Sequence, residues 1–292
     1  MRVFSFLIAL PVVLMSQQLK IDHVTVAGND LRAMMSNLAS VGLRCEYGGP
    51  HADHVTEMAL ISFPDGSYLE LIAPERNVDM RAVEAHAWGK RMLENAGPCA
   101  WAVTSPDLAS DRKRFETVGI TVVPPVRSGR ERPDGKRLEW EMMQIGEEPR
   151  GTFYPFAIHD LTPRRDRVFL SGKPSTEDFG GVSRVVIAVR DLRTSAQRYR
   201  DAYALPPSVA QVDSQFEARI AMFTDSPVVL AAPLDANSWL AKRLDEFGEG
   251  PCAFILRART KERYKRAAMS RWRMVDISWF DTQKLHWRLG FE

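Results

Sequence analysis

The sequence is poor in the residues on which several functional classes depend. It contains three cysteines, Cys45, Cys99 and Cys252, and no pair of them has a CxxC or other metal-binding spacing. A low and odd number of cysteines also argues against a framework of disulfide bonds. We therefore interpret all three as small buried hydrophobic residues.

Neither sign of charge is in excess. Lys and Arg number 39 and Asp and Glu 37, which gives a formal net charge of +2, and the two signs are mixed along the chain. A nucleic-acid surface requires clustered positive charge, so we expect no nucleic-acid partner. The sequence also lacks a glycine-rich phosphate loop and a GxSxG motif. We therefore expect no nucleotide cofactor.

Long apolar runs are missing except at the N-terminus. One Arg is followed by the uncharged stretch Val3–Met15, which is too short for a stable membrane span. Its order of charge and apolarity is typical of a secretory signal. We expect residues 1–16 to be a signal peptide and the protein to be exported to the periplasm. The alternative is an apolar first strand or helix of the fold, in which case the protein is cytoplasmic.

The chain repeats itself. Three segments of the first half recur in the same order in the second half, and the pairs are IDHVTVAGNDL with VSRVVIAVRDL, DGSYLELIAP with TDSPVVLAAP, and GPCAWAV with GPCAFIL. Such self-similarity predicts a duplicated domain. We place the first domain at 19–164 and the second at 181–292. Residues 165–180 are rich in Gly, Pro, Ser and charge, which indicates a linker.

Each half divides again into two units of strand, helix and three strands. In the first unit KIDHVTVAG alternates as a strand does, and the segment from Asn29, taken as the N-cap, has helical spacing. Three short strands follow, the last two joined by a Pro-Asp-Gly turn. Similar patterns begin at Pro98, Val182 and Pro251, with TVVPPV as one of the strands and the basic stretch Thr260–Arg273 as a solvated helix. Four βαβββ modules, the last one shortened, predict an α+β fold.

These motifs resemble a known superfamily. DHVTVAGNDL, FPDGSYLELIAP and RERPDGKRLEW together are similar to the bacterial glyoxalase-like group of the vicinal oxygen chelate (VOC) superfamily. The resemblance implies two half-barrel units of the glyoxalase and bleomycin-resistance type, each enclosing a cleft. It also implies metal ligands on the first and last strands of the modules.

The resemblance carries over to four positions of the first half. The first-strand and last-strand positions of the first module are His23 and Glu70. In the second module they are Ala100, which cannot bind a metal, and His159. The implied ligand set is His23, Glu70 and His159. It suits Zn²⁺, Fe²⁺, Mn²⁺ or Ni²⁺, which would act as a Lewis acid and template.

The alternation of side chains along a strand supports the assignment of Glu70. Tyr68 and Glu70 share one face, and Leu69 and Leu71 share the other. A strand with this pattern packs one face on helices and lines a semi-polar cleft with the other. The corresponding residue of the second half is Val229, so the strand does not need a carboxylate to form.

The same alternation is less regular at the two histidines. It places His23 with Ile21 and His159 with Ala157, on faces that we expect to line the cleft. Asp22 and Asp160 stand directly beside the two histidines and interrupt the apolar pattern.

Four further residues are candidates for the substrate pocket besides Tyr68. His51 and His54 could line the mouth of the cleft or replace a ligand, and the alternative for both is a solvated loop. Trp140 is a candidate wall of the pocket. Arg184 takes the position of His23 in the second half, where it could bind an anionic group. We expect the second half to be a degenerate copy.

Together these features predict a glyoxalase-like protein that acts on a small organic molecule with adjacent oxygens. The chemistry would be that of a lyase, isomerase or dioxygenase, with a divalent metal or with Glu70 as a base. The first alternative is a metal-free protein that binds and sequesters a small molecule, as bleomycin-resistance proteins do. The second is a structural module without an active cleft. A homodimer is compatible with all three.

Overall fold

The computed structural model describes residues 19–292 and contains two eight-stranded sheets. The predicted signal peptide lies outside the described residues. None of the described helices is long and apolar enough to cross a membrane.

The first sheet is built from two modules. The first module consists of β1 (Ile21–Ala27), α1 (Leu31–Ser40), β2 (Glu46–Pro50), β3 (Thr56–Ser62) and β4 (Tyr68–Pro74). Two short helices, α2 (Met80–Ala85) and α3 (Gly89–Leu93), lead to the second module. That module consists of β5 (Gly97–Thr104), α4 (Leu108–Thr117), β6 (Val126–Glu131), β7 (Arg137–Met143) and β8 (Phe156–Asp160).

The second sheet follows helix α5 (Arg164–Val168) and repeats this order. Its first module consists of β9 (Phe179–Ala188), α6 (Leu192–Tyr203), β10 (Val209–Asp213), β11 (Ala218–Met222) and β12 (Val228–Pro233), followed by α7 (Trp239–Phe247). Its second module consists of β13 (Gly250–Ala258), the 3₁₀ helix η1 (Lys261–Arg263), β14 (Ala268–Trp272), β15 (Val275–Trp279), α8 (Thr282–Leu285) and β16 (Arg288–Phe291).

The two sheets have the same topology and register. The strand order is β2-β3-β4-β1-β5-β8-β7-β6 in the first sheet and β10-β11-β12-β9-β13-β16-β15-β14 in the second. In both, the first strand of a module runs parallel to its last strand, and Thr25 lies opposite Glu70 as Val186 lies opposite Val229. The α+β fold, the internal repeat and the two half-barrel units are confirmed.

A repeated Asp-Leu pair begins the long helix of three modules. Asp30, Asp107 and Asp191 are the N-caps of α1, α4 and α6, and each side chain accepts hydrogen bonds from backbone N–H groups of the first turn. An Asp cap satisfies donors that have no partner inside the helix. The cap of α1 is therefore Asp30 and not Asn29.

Two predicted elements are wrong. The stretch from Thr260 to Arg273 forms η1 and then β14 instead of one helix, and it lacks the Asp-Leu cap. TVVPPV forms only one isolated bridge, from Val122 to Ile145, and β6 begins at Val126. Its two prolines have no N–H group to donate to a ladder, which explains the late start.

The predicted linker is ordered at both ends. It begins within α5, and β9 begins at Phe179. In between, the Ser175 backbone N–H donates to Ser62 O at 3.1 Å. The segment is thus packed on the first sheet, and α5 contributes to the site described below.

The main core joins the outer faces of both sheets. Val24, Leu69 and Trp101 belong to it from the first sheet, and Val185 and Phe254 belong to it from the second. Trp101 is fully buried in this core and points away from the inner face. The opposite, inner face of the first sheet is free to enclose a cavity.

The inner face of the second sheet is filled with aromatic side chains. The rings of Phe216 and Trp279 stack with centroids 5.1 Å apart, and Trp272 packs edge-on against both. Val229 is fully buried in this cluster. The second half-barrel therefore holds a second core at the place where the first encloses a cavity.

Candidate functional site

A cavity of about 270 Å³ lies on the inner face of the first half-barrel. Five of the predicted site residues line it, namely His23, His51, Tyr68, Glu70 and Trp140. The size fits a small organic molecule rather than a polymer. The cavity is therefore the candidate site.

Glu70 is the buried charge at the centre of this site. Its side chain accepts a hydrogen bond from Thr25 Oγ1 at 3.2 Å, and its two oxygens lie 3.6 Å from His23 Nε2 and 3.4 Å from His51 Nε2. Burial raises the pKa of Glu70, but His51, His23 and Arg130 together outweigh burial and lower it to about 2. The carboxylate is ionised at neutral pH, so it is a weak base and a strong partner for positive charge.

His23 is held in one orientation from three sides. Its Nδ1 lies 2.8 Å from Asp22 Oδ1, Tyr68 stacks on its ring with centroids 4.7 Å apart, and Phe156 packs edge-on at 5.4 Å. Burial raises the pKa of Asp22, but Arg167, His23 and Arg164 outweigh burial and hold it well below its usual range. An ionised carboxylate can only accept hydrogen bonds, so Nδ1 carries the ring proton and donates a hydrogen bond to Asp22. Nε2 is thereby turned toward the cavity and Glu70.

A β-bulge at Asp22 makes this arrangement possible. In the ladder between β1 and β5, Ile21 pairs with Val103 and His23 pairs with Ala102, so Asp22 is the extra residue. Bulges re-aim side chains and are frequent beside active sites. The prediction that His23 shares a face with Ile21 is wrong for this reason, because Ile21 packs in the main core.

Beneath His23, one arginine of α5 uses all its donors. The Nε, Nη1 and Nη2 atoms of Arg167 donate to Asp160 and Asp22 over distances of 2.6 to 3.0 Å, and Nη1 also donates to Tyr68 OH at 2.9 Å. Arg164 pairs with the same two carboxylates. Arg167 is 3% exposed, and Asp22 outweighs the effect of burial and raises the pKa of its guanidinium. The network fixes Asp22, and through it His23.

His51 and Tyr68 are placed as expected for pocket residues. His51 Nδ1 lies 2.7 Å from Thr56 Oγ1, which leaves Nε2 toward Glu70. Burial raises the pKa of Tyr68 above its usual range, so its phenol stays neutral. Since Arg167 donates to the Tyr68 oxygen, the phenol's own proton is available to a ligand.

The structure does not bring His159 to the cavity where His23 and His51 face Glu70. In β8 it is Phe156 and Ile158 that line the cavity, whereas Ala157 packs in the main core. His159 shares the face of Ala157, and its Nδ1 lies 3.0 Å from the carbonyl oxygen of Ser105. The residues of β8 alternate as predicted, but His159 lies on the face away from the cavity.

Two other predicted pocket residues also lie elsewhere. The His54 side chain is 74% exposed and lies 3.4 Å from Glu75 Oε1 at the surface. Arg184 forms an ion pair with Glu292 at 2.8 Å and lines a groove of the second half, away from this cavity.

The cavity residues that the sequence did not predict include two arginines and a tryptophan. Arg130 of β6 is buried, and Arg150 lies over the rings of Trp88 and Phe156 at 5.5 and 5.3 Å. Trp88 lies between α2 and α3, which close over the open side of the sheet. Arg130 and Arg150 stand in charged, polar stretches that look like surface segments, and only the closure of the barrel turns them inward.

The residues present do not fit the metal-binding set that the resemblance implies. His23 and Glu70 occupy two of the four ligand positions, Ala100 packs on the cavity face without a donor, and His159 faces the other side. Within residues 19–292, no group of three or more His, Cys, Asp and Glu side chains has the arrangement of a metal site.

Comparisons with known proteins agree with the fold. A hypothetical protein from Staphylococcus aureus matches with a TM-score of 0.63 at 13% identity, over 94% of this chain and 99% of that chain. A mutant of 4-hydroxymandelate synthase from Streptomyces coelicolor matches with a TM-score of 0.51 at 14% identity, over 84% of this chain and 72% of that chain. At such identities the likeness shows the fold alone.

No functionally curated protein matches the sequence. A family model described as a glyoxalase-like domain matches residues 21–203. The match covers the first sheet, the connecting segment, and the first strand and helix of the second sheet. It spans more than half of the chain, which therefore belongs to the glyoxalase-like domain family.

Proposed function

We propose that the cavity of the first half-barrel catalyses proton transfer on a small organic molecule with adjacent oxygens, such as a 2-hydroxycarbonyl compound. The observation that carries this proposal is the Asp22–His23 pair, with Nδ1 donating to a buried ionised carboxylate and Nε2 facing the cavity. An imidazole oriented in this way by a carboxylate is the usual form of a general base.

The step needs no group that the chain lacks. The step begins from neutral His23, in which Nδ1 carries the only ring proton and Nε2 is free to accept one. His23 Nε2 takes the proton from the carbon next to the carbonyl group. The electrons of the broken C–H bond form a C=C bond, and the carbonyl electrons move onto its oxygen to give an enolate. The imidazolium then lies between the carboxylates of Asp22 and Glu70, which stabilise its charge. Return of the proton to the neighbouring carbon, with proton exchange between the oxygens, gives the isomer; return to the same carbon gives exchange or racemisation.

The remaining residues position the substrate. Tyr68 offers its phenolic proton to a substrate oxygen, and Trp88, Trp140 and Phe156 provide apolar walls that exclude water. Asp22 and Arg167 are positioning residues. Arg167 holds Asp22, and Asp22 holds His23.

The test is solvent exchange. The protein is incubated in D₂O with pyruvate, hydroxypyruvate, glyceraldehyde, dihydroxyacetone and acetoin, and deuterium uptake is measured by mass spectrometry. We expect uptake on at least one compound and a loss of about 100-fold or more in His23→Gln. His54→Gln is the matched control, because His54 lies at the surface, and it should leave the rate unchanged.

Three results would contradict the proposal. Equal rates in His23→Gln and the wild type would remove His23 from the chemistry. Saturable binding of panel members without deuterium uptake would favour the sequestering protein as the function. A stoichiometric divalent metal that is lost in both His23→Ala and Glu70→Ala would favour metal-assisted chemistry.

A further inference from the structure

One buried cation of the cavity has an unused donor. Arg130 is 6% exposed, and its Nη1 donates to Gly48 O at 2.8 Å. Its Nη2 is buried and, within residues 19–292, has no hydrogen-bond partner. A guanidinium stays charged in a protein, and a buried charged donor without an acceptor is costly. Arg130 Nη2 is therefore a donor that an acceptor group of a ligand would satisfy.

Arg130 joins the two edge strands of the first sheet. It stands on β6, and Gly48 stands on β2, at the opposite end of the strand order. The second sheet is joined at the same place by Gln211 of β10, whose amide donates to Arg271 O at 2.8 Å and accepts from Arg273 N at 2.7 Å. A neutral side chain is thus enough to close this barrel, so the charge of Arg130 acts on the cavity, where it already faces Glu70 and still has Nη2 without a partner among the described residues.

The other guanidinium groups of the cavity divide into two kinds. Arg167 has no donor left for a ligand, since Asp22, Asp160 and Tyr68 take all five. Arg150 lies on aromatic rings, and its Nε has no partner among the described residues. Arg130 and Arg150 are therefore the cations that a ligand can reach.

From this arrangement we infer that the substrate carries a carboxylate, which Arg130 Nη2 and the guanidinium of Arg150 bind. This inference rests on the proposed function and names the class of its substrate, a small 2-oxo or 2-hydroxy acid. A carboxylate offers two planar acceptor oxygens, which suit the donors of a guanidinium.

The site selects a single negative charge. Glu70 lines the same cavity, and Thr25, His23 and His51 surround its carboxylate at 3.2 to 3.6 Å. A phosphate group or a second carboxylate would bring additional negative charge close to it in a medium of low dielectric constant. Monocarboxylates should therefore bind better than dicarboxylates or phosphate esters of similar size.

The test compares acids with neutral analogues. Binding of pyruvate, lactate and glycolate is measured by titration calorimetry beside lactamide, glycolamide and methyl pyruvate, with oxaloacetate and phosphoglycolate as the more highly charged compounds. We expect each monocarboxylate that binds to do so at least about 10-fold more tightly than its neutral analogue. Arg130→Met should abolish this preference, and Arg150→Met should weaken it.

Arg127→Met is the matched control. Arg127 stands on the same strand, but its side chain is 65% exposed and pairs with Glu139 at the surface. It should leave every affinity unchanged. Arg130→Lys keeps the charge but not the planar group, so it shows whether a loss in Arg130→Met comes from misfolding. A folded Arg130→Lys protein should bind the acids with affinities between those of the wild type and Arg130→Met.

The inference is overturned if the neutral analogues bind as tightly as the acids. It is also overturned if Arg130→Met keeps the preference, or if no acid binds saturably up to about 50 mM. Binding is measured without turnover, so the two proposals fail separately. Preference for acids without deuterium exchange refutes only the catalytic proposal, and exchange without such preference refutes only the inference.

Discussion

Replacing Arg167 with Met tests how the site is built. The substitution keeps a long apolar side chain but removes five hydrogen bonds to Asp22, Asp160 and Tyr68. Asp22 is fully buried, so it cannot regain these bonds from water. Arg164 remains beside both carboxylates and compensates in part.

The expected loss of unfolding free energy is about 4 kcal/mol. Breaking a buried ion pair by removing one partner costs about 3–5 kcal/mol, because the other charge stays buried. The sum of five separate charge-assisted hydrogen bonds would exceed about 4 kcal/mol, but the contributions of single bonds are not additive within one network. For a domain of this size the loss corresponds to a fall in Tm of about 8–16 °C.

The assay is urea unfolding at pH 7, followed by tryptophan fluorescence, with Arg165→Met as the control. Arg165 stands on the same helix but is exposed, so its substitution should cost no more than about 0.5 kcal/mol. If Arg167→Met loses less than about 1 kcal/mol, the network does not carry the buried charge of Asp22, and the argument for a fixed His23 fails.

Three further predictions use buried groups. The pKa of Glu70 is about 2 in the folded protein, below its unfolded value, so the stability that it provides is present at pH 6 and falls by about 2 kcal/mol by pH 3. The stability provided by other carboxylates such as Asp22 also falls over the same range, so urea unfolding at the two pH values should show a loss about 2 kcal/mol larger in the wild type than in Glu70→Gln. Val229→Glu should lower the free energy of unfolding by about 3 kcal/mol or more, because it buries a carboxylate among aromatic rings. Val209→Glu, at an exposed position of the same sheet, should lower it by about 0.5 kcal/mol or less, and urea unfolding measures both. Burial raises the pKa of the thiols of Cys45, Cys99 and Cys252 to about 12, so Ellman's reagent at pH 8 should detect no reactive thiol in the folded protein and three thiols after unfolding. A thiol that reacts quickly in the folded protein would contradict this prediction.

The sequence predicted the site best where a strand is regular. The alternation around Glu70 holds in β4, since Tyr68 and Glu70 line the cavity and Leu69 and Leu71 pack in the core. The comparison with Val229 was equally informative, because both residues occupy the same register. Local periodicity and an internal repeat were sufficient for this part.

The sequence was insufficient where distant residues decide the geometry. The bulge at Asp22 reverses the alternation beside His23, and the residue that neutralises Asp22 is Arg167, which lies in a segment resembling a linker. Asp22 and Asp160 interrupt the apolar pattern because both carboxylates bind the guanidinium of Arg167. No local pattern indicates a contact between residues so far apart in the chain.

His159 shows a different limit. Alternation tells which residues share a face, but it does not tell which face is inside. In β8 one face carries Phe156, Ile158 and Asp160 and the other carries Ala157 and His159, so each face combines apolar and polar side chains. The side chains of Phe156 and Ile158 lie on the inside because the sheet curves around the cavity, and the curvature of the sheet does not follow from the sequence of one strand.

The bond from Arg130 to Gly48 has a consequence for self-association. Unpaired edge strands are the usual route by which sheets recruit a further strand and aggregate. Here β2 and β6 are bridged to each other, and Gln211 bridges β10 to β14 in the second sheet. A second molecule that added a strand at one of these edges would compete with the bridge, and loss of the bridge would also loosen the cavity. Mutations that weaken Arg130 should therefore promote aggregation together with the loss of the site.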